Sequence, residues 1–131
     1  MRGFARNHKI LSAVLVLVCL VACLIGWELS ARIRGQLAAH VDVERGHYKI
    51  LTLGLAVSWR PEYTHLLRER YGVEERVVAG CFVSESLLAF AEGYNTVSMK
   101  AANRKFGHDV FEESAADARR IWKARQSTKQ P

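Results

Sequence analysis

Residues 48–83, YKILTLGLAVSWRPEYTHLLRERYGVEERVVAGCFV, carry the pattern that decides the fold. Residues 48–57 are rich in large apolar and β-branched side chains, and part of the run is apolar on both faces. That pattern predicts a strand in a covered sheet. Ser58, Trp59, Arg60 and Pro61 break the run, and Pro61 suits the first turn of a helix, where its missing N–H costs no hydrogen bond. Residues 61–71 then place Tyr63, Leu67 and Tyr71 four apart, with Glu62 at the start and Arg68 and Arg70 near the end, as the helix dipole favours. Gly72 supplies the stop. A second strand is expected over 75–83. Strand, helix and strand in this short a span predict a right-handed βαβ unit with parallel strands. Two parallel strands are marginal alone, so either residues 41–43 add a third or sheets join between chains.

Toward the C-terminus, Ser84 is placed to cap a helix over 85–106, with Gly93, Tyr94 and Asn95 in its middle. Glycine inside a helix costs about 1 kcal/mol against alanine, which points to a close crossing with another element and a buried Tyr94. Gly107 ends this helix, and Asp109 opens another in which Phe111, Ala115, Ala118 and Trp122 form an amphipathic stripe. Residues 126–131 form a polar tail. The expected fold class is therefore α/β (or α+β), with a small domain at 48–125 built from the βαβ unit and a C-terminal helical hairpin.

Toward the N-terminus, residues 30–47 are expected to be a helical stalk and connector, with Gly46 as the turn. Over 28–40 Leu29, Ile33 and Leu37 recur four apart, a stripe that could pack on a second copy. Before the stalk lie eighteen residues without a charge, 10–27, ILSAVLVLVCLVACLIGW. As a helix they span roughly 27 Å at about 1.5 Å per residue, close to the roughly 30 Å of a bilayer's hydrocarbon core. Trp27 suits the interface. Residues 10–29 are thus expected to be a transmembrane signal anchor behind a basic cytoplasmic flank, 1–9. A rival reading is a cleaved lipoprotein signal, because Leu20, Val21, Ala22 and Cys23 have the form of a bacterial lipobox and Cys23 would carry the lipid. The apolar run continues past Cys23, which favours the anchor. Arg2, Arg6 and Lys9 before the run, against Arg32 and Arg34 just after it, put the N-terminus in the cytoplasm and the domain on the extracytoplasmic side.

The formal charge of +6 is uneven. All thirteen acidic residues follow Trp27, against sixteen Lys and Arg there, and five of those sixteen lie in the last thirteen residues. The body is close to neutral. A basic end without interleaved aromatics does not describe a nucleic-acid surface. Cys81 is the one thiol outside the apolar run, so no disulfide framework can form within the domain, and its apolar neighbours predict burial. His40, His47, His65 and His108 are scattered, and no metal spacing is present. His65 with Glu62 or Glu69 is expected to be a solvated pair.

In βαβ units ligands collect outside the carboxyl ends of the strands. Here that rim carries Ser58, Trp59 and Arg60 after the first strand and Ser84 after the second. Arg60 could meet an anion beside helix N–H groups with Trp59 as a wall, although helix capping and core cover explain the same residues. No nucleophile–base pair, carboxylate dyad or metal set appears, so no catalytic residue, cofactor or metal is expected. The sequence describes a membrane-anchored, non-enzymatic interaction or structural module of the cell envelope. Its partners would be the lipid bilayer and a second copy or another envelope protein. The alternative is a small-ligand or anion-binding domain at the Trp59 and Arg60 rim.

Overall fold

The computed structural model describes residues 2–129, with side chains described for 11–128. Among these are five helices and a two-stranded parallel sheet, a mixed α/β arrangement that is mostly helical. Helix α1 (Arg2–Leu29) contains an apolar stretch, Leu11–Leu29, that is long enough to cross a membrane and touches almost nothing else. Ser30 stays in helical conformation, and α2 (Ala31–Glu44) follows at once. The Trp27 carbonyl accepts from Ser30 Oγ at 3.1 Å and Arg34 Nη2 at 2.9 Å, and the Arg34 guanidinium lies 3.8 Å above the Trp27 ring. The junction is therefore held by side chains where the helical ladder breaks.

One face of α2 packs against α4 (Glu85–Phe106), and that face is made of Ala31, Gly35 and Ala39. The backbones meet so closely that a Cβ built on Gly35 would lie 2.1 Å from the Phe90 carbonyl oxygen. One built on Gly93 would lie 2.1 Å from that of Arg32. The close crossing and buried Tyr94 expected from the sequence are both present. Residues 41–43 do not form a third strand but belong to α2, because the helix runs on to Glu44 before Gly46 turns the chain at φ +78°.

Strand β1 (Tyr48–Leu53) is shorter than expected, since Gly54 takes φ +82° and ends it. It pairs in parallel with β2 (Val73–Ala79), Tyr48 opposite Val73, with an irregularity after Thr52. Between them α3 (Arg60–Tyr71) forms the crossover and ends in a left-handed Gly72. The other edge of β1 is covered by α4, whose polar side chains stand in for a third strand. Asn95 Oδ1 accepts from the Leu51 N–H and Asn95 Nδ2 donates to the Leu51 carbonyl, each at 2.7 Å. Ser98 Oγ accepts from the Lys49 N–H at 3.2 Å and donates to its carbonyl at 2.5 Å. This is how so small a sheet satisfies the backbone of its inner strand.

Ser84 caps α4, its Oγ accepting from the Leu87 N–H at 3.2 Å. Asp109 caps α5 (Val110–Lys129) through the N–H groups of Phe111 and Glu112. Rather than lying along α4, α5 packs chiefly on α3, and its helix continues through 126–129, where the sequence suggests a polar tail. Residues 130–131 lie outside the described part. The core has two halves. Ile50, Leu67, Val73, Ala102, Val110 and Phe111 fill one, and Ala39, Leu51, Ala91 and Tyr94 the other.

These contacts fix the sense of each element relative to the anchor. Lys49 bonds Asp42 near the far end of α2, while Leu51 packs with Ala39, so β1 turns back along α2 toward the end that joins α1. The carboxyl ends of both parallel strands therefore point the same way. Ser98 faces Lys49 and Asn95 faces Leu51, so α4 also starts at that end.

Candidate functional site

The rim residues come together only in part. Trp59 and Arg60 line a cleft of about 330 Å³ with Thr52, Leu55, Tyr63 and Glu75, whereas Ser84 is not among its walls and serves as the α4 cap. Ser58 lies in the turn before α3. Arg60 Nε donates to Glu75 Oε1 at 2.6 Å, and Thr64 Oγ1 donates to the other oxygen of the same carboxylate. The Glu75 side chain is 4 % exposed, so an anion arriving at Arg60 would have to displace a nearly buried partner. The Trp59 ring meets Tyr63 edge to face at 5.8 Å, and the Arg119 guanidinium sits 5.0 Å from its centre. Burial, reinforced by the Glu75 charge, pushes the Tyr63 phenol up to about 12. One polar atom here has no partner among the described residues: the buried Thr52 hydroxyl.

A second cleft, of about 440 Å³, opens between the sheet and the α2–α4 pair. Tyr94 Oη donates to Asp42 Oδ2 at 2.6 Å, and Lys49 Nζ donates to the same oxygen at 3.1 Å. The Tyr94 hydroxyl, with help from Lys49, holds the Asp42 carboxyl below its ordinary value, and burial raises the Tyr94 phenol. Asp42 and Tyr94 are fifty-two positions apart, and no local pattern links them. The trio ties α2 to α4 and β1.

Cys81 is exposed, contrary to the burial expected from its neighbours. The reason is that β2 ends at Ala79, so Cys81 falls in the loop before α4. No hydrogen bond to a histidine reaches its thiol among the described residues, so the triad logic of a thiol nucleophile finds no base. Cys23 is exposed on α1. His65 and Glu69 form a 3.1 Å pair with both side chains about two-thirds exposed, the solvated pair foreseen. His108, Tyr71 and Glu113 bond one another across the α3–α5 contact, beside an Arg70–Asp117 pair at 2.7 Å. Among the described residues no three His, Cys, Asp or Glu side chains are grouped to hold a metal ion.

What the surface does offer is apolar. Leu29 ends α1, and Ile33, Leu37 and Val41 follow at spacing four on α2; all four are exposed, at 80, 59, 60 and 44 %. They occupy the side away from α4, since positions two apart on a helix are about 200° around it. The helix thus buries its small residues and presents its large ones. A second apolar group lies on the loops after the two strands, where Leu55 is 80 % and Phe82 94 % exposed. Comparison of the chain with models of protein families, with curated proteins and with solved structures yields no match.

Proposed function

We propose that the chain is a single-pass, membrane-anchored module of the cell envelope that works by contact rather than catalysis, and that a second copy is its partner. The observation that carries this reading is the open row Ile33, Leu37 and Val41 on α2, which follows Leu29 at the end of α1. An exposed apolar row on a helix whose other face is already packed is a surface in want of a cover. Two copies inserted in the same direction can lay these rows side by side without inverting either anchor. The stripe supports a contact of modest size, strengthened because α1 confines both copies to one membrane and so raises their effective concentration.

Because Ile33 and Leu37 touch little within the chain, Ile33→Glu with Leu37→Glu is expected to leave the fold intact. Surface changes of this kind are worth within about 0.5 kcal/mol of stability. The same pair puts four carboxylates into the contact, and the full chain in detergent should pass from dimer to monomer by light scattering. A wild-type chain that is already monomeric at high concentration, or a double variant that stays dimeric, refutes the α2 contact.

The basic flank at 1–9 supports an extracytoplasmic domain. A membrane-impermeant maleimide added to intact cells is expected to label a His47→Cys, Cys81→Ser chain, whose position 47 is exposed at the end of the domain away from α1, while labelling only after lysis would put the domain in the cytoplasm.

A further inference from the structure

The chain folds so that its most exposed apolar side chains gather at the end of the domain that adjoins α1. The carboxyl ends of β1 and β2 point toward that end, and the Gly54 N–H bonds the Ala79 carbonyl at 2.9 Å, tying the bases of the two loops together. From those loops project Leu55 and Val57 on one side and Phe82 and Val83 on the other, with Phe82 almost wholly uncovered. Trp59 stands beside them at the start of α3. Nothing in the domain requires this exposure, because β1 and β2 have already ended and the core is closed by Phe111, Leu67 and their neighbours.

We propose that these two loops form a second, non-spanning attachment to the bilayer that α1 crosses, with Phe82 and Leu55 as the inserting side chains and Trp59 at head-group level. The proposal rests on α1 lying in the membrane. The occupant is a lipid surface because the apolar loops lie at the end of the domain where α2 joins the last turn of α1. There Trp27 marks the interface and Leu29 continues the apolar surface of the span. Amphipathic attachments of this kind sit at the boundary of head groups and acyl chains, where Trp and Phe are favoured. Basic residues stand beside the apolar ones: α5 runs antiparallel to α3, as the Arg125–Glu62 and Arg70–Asp117 pairs show, so Arg125 and Arg119, whose guanidinium lies 5.0 Å from the centre of the Trp59 ring, reach the same end.

The native thiol next to Phe82 is the probe. With Cys19 and Cys23 changed to alanine, the full chain is labelled at Cys81 with an environment-sensitive fluorophore and reconstituted into phosphatidylcholine vesicles that include a lipid with a nitroxide on an upper acyl carbon. Attached loops place that label within the roughly 5–10 Å layer at the surface, so quenching is expected to exceed about two-fold the value for a label at the far end, as His47→Cys in a Cys81→Ser chain. Phe82→Ser with Leu55→Ser should bring the two values together. Equal quenching at positions 81 and 47, in protein that floats with the vesicles and resists alkaline extraction, overturns the loop attachment and leaves the anchor standing. Protein that alkaline treatment strips from the vesicles overturns both.

Discussion

Gly35→Ala is expected to be among the most damaging single-methyl changes this chain can suffer. The added Cβ would lie 2.1 Å from the Phe90 carbonyl oxygen and 3.0 Å from the Tyr94 nitrogen. Both are backbone atoms of α4, so no side chain can rotate out of the way and the two helices must separate. Overpacking in a core usually costs about 1–3 kcal/mol, and a clash against rigid backbone belongs at the upper end, near 3 kcal/mol. For a domain of about a hundred residues, that lowers the melting temperature by roughly 10–20 °C. Gly93→Ala repeats the clash from the other side, against the Arg32 carbonyl, and should cost a similar amount. Because both glycines serve one crossing, the double variant should lose less than the two single losses combined. Gly80→Ala is the control, with no atom within 4 Å of its added carbon and no positive φ. Thermal unfolding of the full chain in detergent, followed by circular dichroism, reads all four. A Gly35→Ala chain that melts with the wild type shows that α2 and α4 are not in this contact.

The same crossing shows what could be foreseen from the sequence and what could not. Gly93 stood out because glycine inside a long helix needs a reason, and Tyr94 beside it gave the direction of packing. Its partner on α2 was invisible. Ala31, Gly35 and Ala39 carry almost no hydropathy signal, while Ile33 and Leu37 carry a strong one, so periodicity points to the face that the fold leaves open. The βαβ unit was legible because Pro61 and Gly72 punctuate its helix so clearly. The strand ends were not. Apolar residues run on through Leu55, Val57, Phe82 and Val83, and a run of large apolar residues is taken for strand until the backbone is seen to turn at Gly54 and to leave the ladder after Ala79.

At the rim, Ser58, Trp59 and Arg60 were found by rule, since strand carboxyl ends are where ligands gather. Their actual employment was hidden because Arg60 is satisfied by Glu75, fifteen positions on and in the neighbouring strand. Asp42 and Tyr94 were hidden for the same reason, a long loop closed by a single hydrogen bond. The apolar loops explain why this chain looked more strand-rich than it is. If they lie against lipid, the side chains that misled the strand assignment are the ones the membrane selects.

The covered edge of β1 gives the second large effect. Asn95→Leu keeps the volume of the side chain and removes both of its bonds to Leu51, leaving one N–H and one carbonyl without a partner. Each such orphan costs about 1–3 kcal/mol where water cannot reach it, so a loss of about 2–6 kcal/mol is expected for the two. Asn95→Asp should also destabilise, because one carboxylate oxygen can still accept from the Leu51 N–H while the other meets the Leu51 carbonyl with no proton to share. Hydrogen exchange separates this effect from a general loosening. In the Asn95→Leu chain the Leu51 amide should lose protection first, while the Ile50 amide, which alternation turns toward β2, should follow only with global unfolding. The Lys49 amide, held by Ser98 Oγ, is the internal comparison. Were Leu51 to stay as protected as in the wild type, the edge of β1 would have to find its partner elsewhere, and α4 would lose its role as the sheet's third member. A selective loss at Leu51 would instead show that two strands suffice here because a helix supplies, with one asparagine and one serine, the hydrogen bonds of an absent strand.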